Sequence, residues 1–200
     1  MPALTLTTDD GVTLEAELDL PAGVTAVVVL AHPHPLYGGS MRTGVPDALF
    51  RALPPEGVGA LRFNFRGVEG SGGVHDEGVA ERLDVAAAVA AVDLPVVVCG
   101  WSFGGDVSLC VDDERIVGWC PVAPPLAIVP VDEMRAPSDA RPKHLLVPEH
   151  DQYSPPERST AVTASWLNTT LEVVPSTDHF LGGALARVAA SVLAFAKPRS

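Results

Sequence analysis

Basic residues are scarce. Thirteen Lys and Arg stand against 25 Asp and Glu, a formal net charge of −12 at pH 7, so a polyanion meets repulsion, and nucleic acid and acidic membranes are poor partners. Long apolar runs are also missing, because Asp, Glu, Pro or Gly interrupts each one before the roughly 18 to 20 residues that a membrane-crossing helix needs. The start, Met1-Pro2-Ala3-Leu4-Thr5, has neither the basic flank nor the apolar stretch of a secretory signal, and a cytoplasmic location is expected. Cysteine is limited to Cys99, Cys110 and Cys120, an odd number among apolar neighbours without metal-ligand spacing; they read as buried thiols. Internal repeats and low-complexity tracts are absent as well.

What remains is ordinary folding material. With 47% hydrophobic and 19% charged residues, the chain lies far from the composition of disordered proteins. Its 200 residues suit one domain over 1–200, with core enough to need no disulfide, metal or permanent partner.

Residues 3–8 and 12–20 are Thr- and Leu-rich runs around Asp9-Asp10-Gly11, which predicts a hairpin. Thr25-Ala26-Val27-Val28-Val29-Leu30-Ala31 is an unbroken apolar run, the pattern of a strand buried on both faces. Further strands are expected at 58–65, 95–100, 115–122, 143–149 and 170–175. Between them, Val79, Leu83, Ala86 and Ala90 repeat near the helical period, as do Leu181, Leu185, Val188, Val192 and Phe195. Pro46 opens another helix at about 46–53, and one more follows Ser102. Alternating strands and helices demand right-handed crossovers, hence an α/β fold with a mostly parallel sheet. Residues 121–142 carry six prolines, which argues against a long helix and for a surface excursion.

Pro95-Val96-Val97-Val98-Cys99 runs directly into Gly100-Trp101-Ser102-Phe103-Gly104-Gly105 and then a helical segment. Strand, G-x-S-x-G, helix is the pattern of a nucleophile elbow, whose glycines leave room for a strained turn that pushes serine out at the carboxyl edge of the sheet. A serine hydroxyl needs an imidazole to take its proton and a carboxylate to hold that imidazole. The elbow goes with the chain order Ser, acid, His, which sets aside His32, His34 and His75. Of the later histidines, His144 begins a strand and His150 sits where the acid is expected, which leaves His179 in Ser176-Thr177-Asp178-His179-Phe180. Asp151, after the strand Leu145-Leu146-Val147, is the preferred acid; Glu149 and Asp178 are its competitors.

On these residues the chain resembles the α/β-hydrolase superfamily, specifically its small serine-hydrolase branch with a His-Pro-His-Pro-x-x-Gly-Gly segment, similar to dienelactone hydrolases. The matching stretches are His32-Pro33-His34-Pro35-Leu36-Tyr37-Gly38-Gly39-Ser40-Met41, Arg62-Phe63-Asn64-Phe65-Arg66-Gly67-Val68, Gly100-Trp101-Ser102-Phe103-Gly104, Asp151 and Asp178-His179-Phe180. The resemblance implies an eight-stranded sheet with an antiparallel second strand, and a Ser102-His179-Asp151 triad. Relatives read Arg-Gly-x-Gly-x-Ser-x-Gly after the fourth strand, whereas Glu69 here replaces the second glycine. Oxyanion donors in this fold are the amide after the nucleophile, Phe103, and one from the loop after the third strand. Pro33 and Pro35 have no N–H, leaving His34, which aligns with the family position, or Leu36.

Other signals are weaker. Gly70-Ser71-Gly72-Gly73 lacks the spacing and lysine of a phosphate loop, and Arg66 reads as the partner of a loop-fixing carboxylate. The histidines show no H-E-x-x-H spacing, so neither metal nor cofactor is expected. Where many relatives insert a helical lid, this chain has only 121–142, so an open site is expected. Tyr37, Trp101, Phe180 and Leu126, within the run Pro124–Val129, either line a pocket for small uncharged esters or simply cover the core. The function expected is cleavage of a small-molecule carboxylic ester. Thioesterase, amidase or dienelactone-hydrolase-like activity shares the same chemistry, and a non-catalytic binding member of the fold is the reading from another class. The sheet edges and outer helices leave room for a homodimer, but no sequence feature selects an interface.

Overall fold

A computed structural model describes residues 3–197. Strands β1 (Ala3–Thr7) and β2 (Thr13–Asp19) form the expected hairpin, closed by Gly11 at φ 82 and by N–H bonds from Gly11 to Thr8 O and from Thr8 to Val12 O, both 2.9 Å. The chain then alternates: β3 (Val27–Ala31), α1 (Gly44–Ala52), β4 (Gly59–Phe63), α2 (Glu81–Ala90), β5 (Val96–Gly100), α3 (Phe103–Ser108), β6 (Ile116–Trp119), β7 (Lys143–Pro148), α4 (Pro156–Thr163), β8 (Thr169–Val174) and α5 (Leu185–Ala196). The eight strands lie in the order β1-β2-β4-β3-β5-β6-β7-β8, with β2 antiparallel to β1 and β4, and the strands from β3 onward parallel.

The apolar runs are uninterrupted because the sheet is covered twice. Val27, Val29 and Ala31 of β3 pack with Val85 and Val89 of α2 and with Phe103 and Val107 of α3. Val28 and Leu30 point the other way, to Val45 and Leu49 of α1 and to Val188 and Val192 of α5. Each such Val or Leu contributes about 1.5–3 kcal/mol by leaving water, so neither face of β3 tolerates a polar residue. The three cysteines are free and buried, as expected. The Cys99 thiol beside it and burial raise the Cys120 thiol well above its usual range, and burial pushes Cys110 up to about 11.

Three elements depart from the sequence reading. The stripe Val79, Leu83, Ala86, Ala90 is not the buried face of α2: Val79 precedes the helix and is exposed, and Glu81, Asp84, Val85, Ala88 and Val89 turn inward. Two carboxylates can face the core because each is bonded there, Glu81 to the N–H of Asp76 (2.8 Å) and Gly78 (2.9 Å), Asp84 to Arg66. Helix α4 was not anticipated; it is polar outside, and its buried residues are Ser159 and Thr163, whose hydroxyls bond back to Ser154 O and Ser159 O. Residues 121–142 form no long helix, only short turns at Val131–Glu133 and Ala136–Ser138, and the excursion along the surface begins only after residue 126. Residues 121–126 are buried, since Val122 bridges Trp101 and Leu146 and prolongs β6 between its neighbours.

Candidate active site

The elbow between β5 and α3 is tight enough to dictate its residues. A Cβ on Gly100 would lie 2.0 Å from Gly104 O, and one on Gly104 would lie 2.6 Å from both Ala31 O and His32 O. Ser102 between them holds φ 55 and ψ −121, a conformation that costs a non-glycine residue on the order of 1–3 kcal/mol. The surroundings enforce it: Ser102 N–H donates to Val122 O (2.9 Å), and Ser102 O accepts from Gly105 N–H (2.8 Å).

Two loops on the same edge bring the expected partners. The loop after β8 places His179 Nε2 2.8 Å from Ser102 Oγ, and the loop after β7 places Asp151 Oδ2 2.8 Å from His179 Nδ1. A carboxylate only accepts, so Nδ1 carries the hydrogen and Nε2 is left to accept from the serine hydroxyl. His179 and Asp151 are both buried. Asp151 Oδ1 also accepts from the N–H of Tyr153 (2.8 Å) and Ser154 (3.1 Å). The competing acids are occupied elsewhere: Glu149 accepts from Ser176 N–H (2.7 Å), and exposed Asp178 accepts from Phe180 N–H (3.0 Å).

The loop after β3 turns through Pro35–Tyr37, with Gly38 at φ 80. Leu36 N–H donates to His34 Nδ1 (3.3 Å), and the N–H groups of Tyr37 and Gly39 donate to His34 O. The N–H groups of His34 and Phe103 have no acceptor among the described residues. The turn thus engages the Leu36 amide and leaves the His34 amide free. His32 anchors this loop from below. It is fully buried, with Nδ1 donating to Pro33 O (2.6 Å) and Nε2 accepting from Phe65 N–H (3.0 Å), and burial drives its pKa down to about 4. Glu69, where relatives carry glycine, takes the left-handed conformation at φ 47 and bonds through Oε2 to Arg42 (2.7 Å) and Asn64 (2.9 Å). Arg66 pairs with Asp84 and Asp10, as a loop-fixing arginine should.

The four residues expected around a pocket fall into two sets. Tyr37 and Phe180 stand exposed at the mouth, while Trp101 and Leu126 are buried. Trp101 Nε1 donates to His179 O (3.2 Å) and so props the histidine loop. Leu126 belongs to a segment gripped from below: Asp106, one turn beyond Ser102, accepts from the N–H groups of Leu126 (2.9 Å), Ala127 (3.0 Å) and Ile128 (2.9 Å). Burial raises the Asp106 carboxyl above its ordinary range. The contacts by which His32, Trp101 and Asp106 position the loops around Ser102 are not marked by any sequence motif. The signal available for Asp106 was an acid in a helix otherwise buried in the sheet.

No protein-family model matches the chain. A curated but uncharacterized protein of Rickettsia prowazekii (strain Madrid E) is 44% identical over 63 residues, 32% of this chain and only 26% of that protein. Among solved structures, an α/β serine hydrolase homologue from Coxiella burnetii is 27% identical, with 98% of this chain and 97% of that chain covered at a TM-score of 0.86. An α/β serine hydrolase without a lid from Xanthomonas campestris is 28% identical, with 98% and 96% covered at a TM-score of 0.80. The chain is accordingly an α/β-hydrolase. Like the lidless Xanthomonas campestris structure, it shows no α-helix between β6 and β7, only the short turns at Val131–Glu133 and Ala136–Ser138. No helix among the described residues is long and apolar enough to cross a membrane.

Proposed function

We propose that the chain is a serine hydrolase of uncharged carboxylic esters. Ser102 attacks the ester carbonyl while His179 takes its proton; Asp151 holds the imidazole in the required tautomer and stabilises its charged form. The amides of Phe103 and His34 bind the oxyanion. His179 then gives the proton to the departing alcohol, and the acyl group stays on Ser102 until water, deprotonated by His179, releases it as the acid. The carrying observation is the unbroken line of two 2.8 Å hydrogen bonds from Asp151 through His179 to Ser102, beside two amides with no other acceptor among the described residues.

The test is hydrolysis of p-nitrophenyl esters from acetate to decanoate, beside a fluorophosphonate label. The reading expects turnover, labelling at Ser102, and a loss on the order of 10⁴-fold or more in Ser102→Ala. Absence of both label and turnover in the wild-type protein would defeat it.

A further inference from the structure

The exposed aromatic side chains among the described residues are Tyr37, Tyr153 and Phe180, 86%, 53% and 60% exposed. All three stand on loops at the edge that carries Ser102, after β3, β7 and β8. Two of them touch the imidazole that faces the serine. The Tyr153 ring lies 4.6 Å from the His179 ring, and the Phe180 ring 5.8 Å from it, both edge-on. Tyr37 is on the opposite side, 4.7 Å from the ring of His34 in the loop after β3.

The chemistry assigns these two sides different halves of an ester. His179 Nε2 must reach the oxygen of the departing alcohol, so the carbon chain on that oxygen leaves past the His179 ring. Tyr153 and Phe180 flank that path. Their backbones are fastened: Tyr153 N–H is bonded to Asp151 and Phe180 N–H to Asp178, so the short turns that present Asp151 and His179 also present the rings. Rings exposed to water around a reacting group gain by covering apolar substrate, and with open surroundings they set no upper limit on its length.

We propose that Tyr153 and Phe180 form an open apolar platform for the alcohol half of the substrate, so that esters of extended alkyl or aryl alcohols are preferred over esters of short ones. This rests on the esterase reading and adds the substrate class on the leaving side.

The decisive comparison is ethyl, butyl and octyl acetate, whose leaving groups are equally basic, against ethyl acetate, butyrate and octanoate. A chain lying on one apolar surface should gain about 2-fold in kcat/KM per methylene, mostly through KM, because it receives about half the benefit of full burial. The octyl-to-ethyl acetate ratio then reaches about 10- to 60-fold and exceeds the gain from lengthening the acyl group. In the Tyr153→Ala, Phe180→Ala double variant that ratio should fall to within about 3-fold of unity. Leu167→Ala, an exposed apolar position on the loop entering β8 at the other edge, should keep the ratio. A flat alcohol series, or an unaltered ratio in the double variant, with Ser102 still labelled and p-nitrophenyl acetate still cleaved, overturns the platform alone. Failure of Ser102 to label or to turn over any ester overturns the esterase reading and the platform with it.

Discussion

Asp151 accepts hydrogen bonds on both oxygens, from two backbone amides on Oδ1 and from His179 on Oδ2. Asn in its place can keep the amide bonds through its carbonyl oxygen but turns an NH₂ toward His179, forcing the hydrogen onto Nε2, where the serine hydroxyl should donate. Asp151→Asn should therefore lower kcat by about 10³–10⁴-fold, while its thermal melting point stays near that of the parent. A second residue couples the site to pH. The pKa of His32, held at about 4 by burial, lies below the 6.5 of the free side chain. Above about pH 6.5 both folded and unfolded chains are neutral at this position; between 6.5 and 4 the unfolded chain takes up a proton that the folded one refuses. Stability then falls by about 1.4 kcal/mol per pH unit, on the order of 3 kcal/mol across the window. Urea unfolding at about pH 7 and about pH 5 should show the parent losing about 2 kcal/mol more than His32→Gln; equal losses would rule the residue out. That Ser102, His179 and Asp151 would be brought together was legible in the sequence because residue type and chain order single out those positions. His32 was not, because its work is done on backbone groups of Pro33 and Phe65, which no side-chain pattern announces.

Helix α3 and the segment after β6 behave as one element, since the Asp106 carboxylate accepts three consecutive amides of that segment. Asp106→Ala leaves the Leu126 N–H without an acceptor in a buried place, at about 1–3 kcal/mol, and those of Ala127 and Ile128 in partly buried ones, at less. The expected result is a loss of about 2–4 kcal/mol in urea unfolding and faster proteolysis near Leu126, with Asp106→Asn intermediate. The strands were readable from their apolar runs, and α5 from Val188 and Val192. Helix α2 misled because its apolar period and its buried face differ: alanines are small enough to face water, while Glu81 and Asp84 face inward on bonded carboxylates. Helix α4 gave almost no hydrophobic signal. Its marks were Pro156 in the first turn, followed by Glu157, a start without a stripe.

At the scale of the molecule, the mostly parallel sheet follows from the alternation of strands and helices, but the strand order and the antiparallel β2 do not; the antiparallel strand came with the resemblance. The net charge of −12 has a direct consequence for surfaces. Even with an apolar rim at the site, the protein should pass unretained through a heparin column at low salt and should not pellet with anionic vesicles, whereas an anion exchanger should hold it. The fold also keeps a place where it can be remodelled. Asp106 grips the chain through Leu126, Ala127 and Ile128, and farther on Pro130, Asp132 and Glu133 are exposed on the span that stands in place of a lid. New sequence grafted there would hang from a stretch already fastened to the nucleophile helix, so a cover for Ser102 can be acquired by insertion alone, with the chemistry beneath it left standing.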